Sequence, residues 1–219
     1  MNWLQRLLLP VISFGRPAQE EALLAAQRFV VVDVETTGLD MLRDQVISIG
    51  AVTVEHALLD LAHGFEVVLQ QRAPSDVDNI LVHGIDGTTQ TTGLDPALGL
   101  QQFIDFAGNS PLVAYHAAFD RTMIDRATKG FLGVTLRNPW IDLAYIAPAL
   151  YPQLAAERHA LDDWAAAFSI ENVSRHNAVA DASVTAQLLL VLLARAHAEG
   201  IARLTDLLQL EKDQQWLGR

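Results

Sequence analysis

A chain of 219 residues, 51% of them hydrophobic, can bury one substantial core, so a single domain with short appendages is expected. Its longest apolar run, Leu188 to Ala194, is far shorter than the roughly 18 residues a membrane span needs, and the absence of cysteine excludes disulfides and thiolate metal sites. The formal charge of −11 argues against a protein that grips long duplexes through a broad basic surface. It does not exclude one whose carboxylates hold divalent cations, because the acids enter the count and the metals do not.

In chain order, the first stretch carries a short apolar segment that Pro10 interrupts, with no A-x-A-like site after it. Secretion is therefore not expected, and a cytoplasmic location is. Leu4, Leu7, Leu8 and the later EEALLAAQRF supply apolar faces, which predict a helical N-terminal extension over residues 1–28 packed back on the core. RFVVVDVE reads as a buried strand, followed by two more, VISIGAVTV and FEVVLQ, each rich in β-branched or aromatic residues and separated by turns. LDPALGLQQFIDFAG predicts a helix with Asp95 as cap, Pro96 in the first turn, and Leu98, Phe103 and Phe106 on one face. PLVAY and PWIDLAYIAPALY each read as a short strand running into a helix. That alternation indicates an α/β sheet covered by helices. LDDWAAAF and the apolar DASVTAQLLLVLLARAHAEG close a domain over 29–200, with Gly200 as a stop and a short amphipathic helix or tail over 201–219.

Four acids at three places in the chain stand out. Asp33 and Glu35 are two residues apart in a strand, so both carboxylates project from one face at its C-terminal end. Alone, the pattern fits two solvated acids before a glycine turn as well as it fits a site for a hard cation such as magnesium or manganese. Asp120 follows a second strand at the start of a helix, and Asp181 lies in the first turn of the long helix. The helix dipole favours an acid at either place whatever its function. His176 precedes Asp181 by five residues, and Asp142 reads as a helix cap.

Taken together, DVETTGLD, AYHAAFD and RHNAVADA resemble, in order, the three motifs of the DEDD superfamily of 3′-to-5′ exonucleases, in the histidine-bearing branch typified by the polymerase III epsilon subunits. The segments ILVHGID and NPWIDLAYIA are similar to family segments too, and the likeness spans residues 28 to 195. Joint matching of three spaced motifs is far more specific than any one of them. The resemblance implies a ribonuclease-H-like fold, a mixed five-stranded sheet flanked by helices. It also implies that Asp33, Glu35, Asp120 and Asp181 hold two divalent cations, Mg2+ or Mn2+, with His176 as general base. Asn177, four before Asp181, stands where the other branch has tyrosine.

The same resemblance places Thr36, Gly38 and Leu39 around the terminal nucleotide, with His83 and Phe119 as further candidates for substrate contact. Gly38 also suits a tight turn, His83 also suits a structuring role in its loop, and Leu39 and Phe119 also suit the core. Family members often carry His-Asn where this chain has Tyr115 and His116; His116 reads as a supporting residue. The expected activity is metal-dependent release of 5′-mononucleotides from single-stranded or frayed 3′ ends of DNA or RNA. Two alternatives are a proofreading subunit in a replication or repair complex, which the short segment after Gly200 disfavours, and a catalytically silent nucleic-acid binder, which the full set of acids disfavours. No membrane partner is expected.

Overall fold

The computed structural model describes residues 23–156, 160–171 and 177–217. Most of the expected N-terminal extension, along with His176, lies outside them. The described chain opens with a 3-10 turn at Leu24–Ala26. It enters the strands β1 (Phe29–Thr36), β2 (Val46–Glu55) and β3 (Leu58–Val68), then the helices α1 (Val77–His83), α2 (Gly87–Thr91) and α3 (Pro96–Ala107). Next come β4 (Leu112–Ala114), α4 (Ala118–Leu132), β5 (Trp140–Asp142), α5 (Leu143–Leu150), α6 (Pro152–Ala155), α7 (Leu161–Ala167), α8 (Ala178–Ala198) and α9 (Leu204–Leu217).

The five strands form one mixed sheet in the order β3-β2-β1-β4-β5. β1 runs antiparallel to β2 and parallel to β4, and β4 is parallel to β5. Alternation along β1 divides the core in two. Phe29 and Val31 join Val52, Val54 and residues of α5, α8 and α9 on one face, whereas Val30, Val32 and Val34 join Leu100, Phe103, Met123 and Ile124 on the other. The expected layers, helices on both sides of a mixed five-stranded sheet, are those observed.

Helix α8 crosses β1 and β2. By length and composition it is apolar enough to span a bilayer, although its longest unbroken apolar run is short. Ala182, Ala186, Leu189 and Leu192 are buried on the sheet side, which accounts for that apolarity. The C-terminal α9 seals the same face with Leu204 and Leu207. The Leu24 amide donates to the Ala202 carbonyl at 2.8 Å, strapping the start of the described chain to the entry of α9.

Two sequence expectations change in detail. In α3 the cap is as read, the Asp95 carboxylate accepting from the Ala97 and Leu98 amides, but the inward side is Gly99, Leu100, Phe103 and Ala107. Leu98 is exposed because it lies on the opposite side of the helix from Leu100, Phe103 and Ala107. Helix α1 was not anticipated, and the reason is visible: Val77, Leu81 and Val82 face solvent, so it presents no core-facing period to read.

The β2–β3 hairpin turns on His56 and Ala57, both left-handed at φ 52° and 57°. Two-residue hairpin loops require that conformation to match the strand twist, but it costs an ordinary L-residue roughly 1–2 kcal/mol. Ala57→Gly is therefore expected to raise stability by about 1 kcal/mol, read from the urea midpoint at unchanged m-value. A lower midpoint would contradict the strain at this turn.

Candidate active site

The odd-numbered side chains of β1 face α8, so Asp33 and Glu35 project beneath the first turn of that helix, which carries Asp181. Oxygens of these three carboxylates lie within 4.8 Å of one another. Asn177 starts the helix, accepting from the Ala180 amide at 3.0 Å while its own amide group donates to Glu66 of β3 at 3.4 Å. Asp120 lies buried in the first turn of α4, at the C-terminal end of the sheet beside β1.

Burial lifts the Asp33 carboxyl well above the usual carboxylate range, and the charges on Asp120, Glu35 and Asp181 lift it further. Glu35 is pushed up to about 7 by burial and then by Asp181. Burial raises Asp120 to about 8 against the pull of its own and the Val34 backbone amides, with Asp142 and Glu35 adding to the rise. Each charged neighbour acting on Asp33 is another carboxylate. A divalent cation bound between them would replace that repulsion with attraction, and oxygen-only ligands suit a hard ion. The residues present therefore fit the divalent cations that the sequence implied.

The loop after β1 is clamped from two sides. The Asp44 carboxylate accepts from the Thr37 hydroxyl at 2.8 Å and from the Asp40 amide at 2.7 Å. Arg126 of α4 donates to the Met41 and Asp44 carbonyls. Gly38 has no left-handed backbone; a side chain there would meet the Asp44 carboxylate at 2.6 Å. Its smallness thus serves the clamp rather than a turn conformation. Thr36 is buried, its hydroxyl donating to the Gly38 carbonyl at 2.7 Å. Leu39 is 85% exposed, which removes the core reading for it, whereas Phe119 is partly buried against the α3/α4 core.

His83 is corrected by its surroundings. It is buried, its Nδ1 accepts from the Ile85 amide at 2.9 Å, and its Nε2 faces the Asn79 Oδ1 at 2.9 Å. An Nδ1 that accepts requires the proton on Nε2, so both ring nitrogens are engaged inside the protein and neither is offered to a nucleotide. The Asn79 amide group in turn donates to the Thr36 carbonyl at 3.0 Å. His83 thus acts on the end of β1 through Asn79, the structuring role its loop context allowed.

Behind Asp120, the Asp142 carboxylate accepts from the Ala144 amide, as a cap should, and also from the His116 amide at 2.9 Å. That second bond holds His116 in a left-handed conformation, φ 61°, one residue ahead of Ala117, the cap of α4. The Asp142 amide donates to Glu211 of α9 at 3.3 Å, and the other Glu211 oxygen accepts from Gln215 at 2.9 Å. Sequence reasoning missed both Asn79 and Glu211. The only hint of Glu211 is an acid at a heptad-like distance from Leu204 and Leu207, on the buried side of the helix.

Residues 30–189 match the Exonuclease family. The chain therefore belongs to that family, and the DEDD-type resemblance read from its motifs holds. Among its relatives, the PolC-type DNA polymerase III of Bacillus subtilis is 33% identical over 180 residues, 82% of this chain but 12% of that protein. The PolC-type enzyme of Caldanaerobacter subterraneus is 30% identical over 91% of this chain and 14% of its own length. The chain thus spans only a small fraction of these polymerases. The DNA polymerase III subunit epsilon of Aquifex aeolicus, 26% identical, is matched over 84% of this chain and 90% of the subunit. Among solved structures, Escherichia coli Exonuclease I in complex with a dT13 oligonucleotide shares the fold, with a TM-score of 0.66 at 16% identity over 78% of this chain and 42% of that one.

Burial raises Glu211 from 4.5 to about 7 against the pull of the Asp142 backbone amide, with the Asp142 charge adding a smaller rise. Between those values the folded chain keeps a proton that the unfolded chain has released, so the contribution of this group to stability falls as pH rises through that window. Glu211→Gln is accordingly expected to match the parent's melting temperature at pH 4.5 and to exceed it at pH 8. An equal difference at both pH values would mean that the glutamate does not titrate in the folded state as described.

Proposed function

We propose that this chain is a divalent-metal-dependent 3′-to-5′ exonuclease that releases 5′-mononucleotides from single-stranded or frayed 3′ ends. The observation that carries this reading is the convergence of Asp33, Glu35 and Asp181 within 4.8 Å at the end of β1, with Asp120 buried alongside. Asp33, Glu35, Asp120 and Asp181 would hold two cations, Mg2+ or Mn2+. Once bound, such cations supply a water of lowered pKa and Lewis-acid stabilisation of the departing 3′ oxygen.

The protein's own groups orient and exclude. The clamped loop offers Leu39 as an exposed apolar surface beside the acids, suited to the face of a terminal base. Thr36 and Gly38 shape the backbone beneath it, and Phe119 is the remaining candidate for contact with the sugar or base. His176 is the proposed general base. It lies outside the described residues, so the assignment rests on its place five residues before Asp181 and on an ordinary imidazole pKa near 6.5, suited to taking a proton at neutral pH. On this reading residues 29–200 are the exonuclease domain and α9 is a buttress to it.

The substrate reading draws on charge and kinship. With a net charge of −11 the chain can neutralise few phosphates, so its grip on nucleic acid is local. Exonuclease I, of the same fold, has been captured with an oligonucleotide of thymidines, which favours a single strand here too. A second reading, proofreading within a replication complex, is favoured by the likeness to PolC-type polymerases and to the epsilon subunit.

End-labelled single-stranded DNA and RNA, incubated with Mg2+, Mn2+ or chelator, test the proposal. Stepwise ladders are expected with either metal and none with chelator. Asp33→Ala, Glu35→Ala, Asp120→Ala and Asp181→Ala should each abolish turnover. In metal-free buffer their melting temperatures should equal or exceed the parent's, because like charges are removed, while stabilisation by added metal is lost. Undiminished activity in chelator or in Asp33→Ala would end the metal-dependent reading.

His176→Ala is expected to slow turnover by roughly 10²–10⁴-fold with metal affinity little changed. A loss of metal binding as deep as in the acid variants would make it a ligand instead. Mismatched 3′ hairpin ends should be degraded faster than matched ones, with only a shallow dependence on salt. A steep salt slope or faster digestion of paired ends would point to a partner protein.

A further inference from the structure

The acid cluster joins elements far apart in sequence, and something must set the distance between them. β1 supplies Asp33 and Glu35, while Asp181 rides on the first turn of α8, which lies over the sheet rather than within it. Directly across from Asp33 in the β1–β2 register is Gly50. Paired residues of an antiparallel sheet point to the same face, so position 50 looks at α8 as Asp33 does. Gly50 is buried. A methyl group built on it would overlap the Ala178 carbonyl carbon and the Val179 nitrogen, and would lie 2.6 Å from the Ala178 carbonyl oxygen. All three are backbone atoms of the opening turn of α8, so no rotamer change can relieve the clash. Gly50 does not have a positive φ, hence an alanine there would be conformationally ordinary and its effect purely one of distance. A glycine inside a strand commonly marks such a close approach of another backbone.

We propose that Gly50 is a positioning residue for the metal site: its missing side chain lets the first turn of α8 lie directly on β2, and so brings Asp181 within ligand distance of Asp33 and Glu35. This rests on the metal-site reading given above. Ordinary contact begins near 3.4 Å, so with a methyl group at position 50 the opening turn must lift by about 1 Å or tilt. The rest of α8 is anchored downstream by Ala182, Ala186 and Leu189 in the core, which makes local displacement of the first turn the expected response. The neighbouring strand offers an internal comparison. A methyl at Gly64 of β3 would lie 3.5 Å from the Ala51 carbonyl oxygen and 3.8 Å from the Val179 side chain, ordinary contacts under the same helical turn.

The test is Mn2+ binding, followed by electron paramagnetic resonance, together with turnover of a single-stranded oligonucleotide. The proteins are the parent chain, Asp33→Ala, Gly50→Ala, Gly64→Ala and Gly50→Ala/Asp181→Glu, all made in the Ala57→Gly background to preserve folding. Gly50→Ala should keep its far-ultraviolet spectrum, bind Mn2+ roughly 10–100-fold more weakly and turn over on the order of 10²-fold more slowly. Gly64→Ala should behave as the parent. The glutamate in the double variant, longer by one methylene, should recover part of the lost Mn2+ affinity, which general damage to the fold would not allow.

Parent-like Mn2+ affinity in Gly50→Ala, equal losses in Gly64→Ala, or a Gly50→Ala chain that does not fold would each overturn the inference. Mn2+ binding by the parent that Asp33→Ala leaves intact would instead overturn the metal-site reading on which it rests.

Discussion

Four carboxylates that repel one another are held at one end of a sheet, and the surrounding architecture resists that repulsion. Burial raises the proton affinity of Asp33, Glu35 and Asp120, the expected response of acids taken from water without a counter-charge. Without metal, the fold must supply the force that keeps them together. It does so from three directions: β1 is locked in the middle of the sheet, the approach to α4 is set by the left-handed His116 that Asp142 fixes, and α8 is set down on β2. Each acid belongs to a different rigid element or to the central strand, and none depends on a free loop. Rigid elements hold ligands more closely than loops do, and a cation site requires that closeness.

The supports are arranged as relays rather than as direct contacts with the acids. His83 acts through Asn79 on the carbonyl of Thr36. Glu211 acts through the Asp142 amide on the junction that opens α4. Arg126 and Asp44 fasten the loop that carries Leu39. In each case a polar group, well removed along the chain except for Asp44, satisfies a backbone donor or acceptor at the edge of the site, which fixes the main chain there without crowding the space a substrate would occupy.

Much of this was legible in the sequence because it obeys local rules. The β-branched run ending in Asp33 and Glu35, the Asp95-Pro96 cap, and the strand-to-helix passages at Asp120 and Asp142 each announce their structure within a few residues. The motif acids that the sequence grouped are brought together by the fold. What escaped reading depends on tertiary placement. Helix α1 turns its apolar side chains outward and shows no period. His83 is an ordinary loop histidine in sequence and becomes a buried relay only when Asn79 and Ile85 close around it. Glu211 lies in a helix whose composition is that of a solvated tail, and its burial follows from α9 docking at the end of β5. Gly38 was legible as a required glycine but for a different reason, since the constraint is the carboxylate of Asp44 and not the sign of φ.

The order of the chain has a consequence for how the molecule comes into being. β1 is synthesised well before α8, so the sheet face formed by Phe29, Val31, Val52 and Val54 lacks its helical cover in the interval. A nascent chain of this kind exposes apolar β-structure while it waits, and contacts of such sequence separation form slowly. The same order governs the acid cluster. Asp33 and Glu35 are made long before Asp181, so the growing chain cannot assemble the full set of acids until the start of α8 has been added.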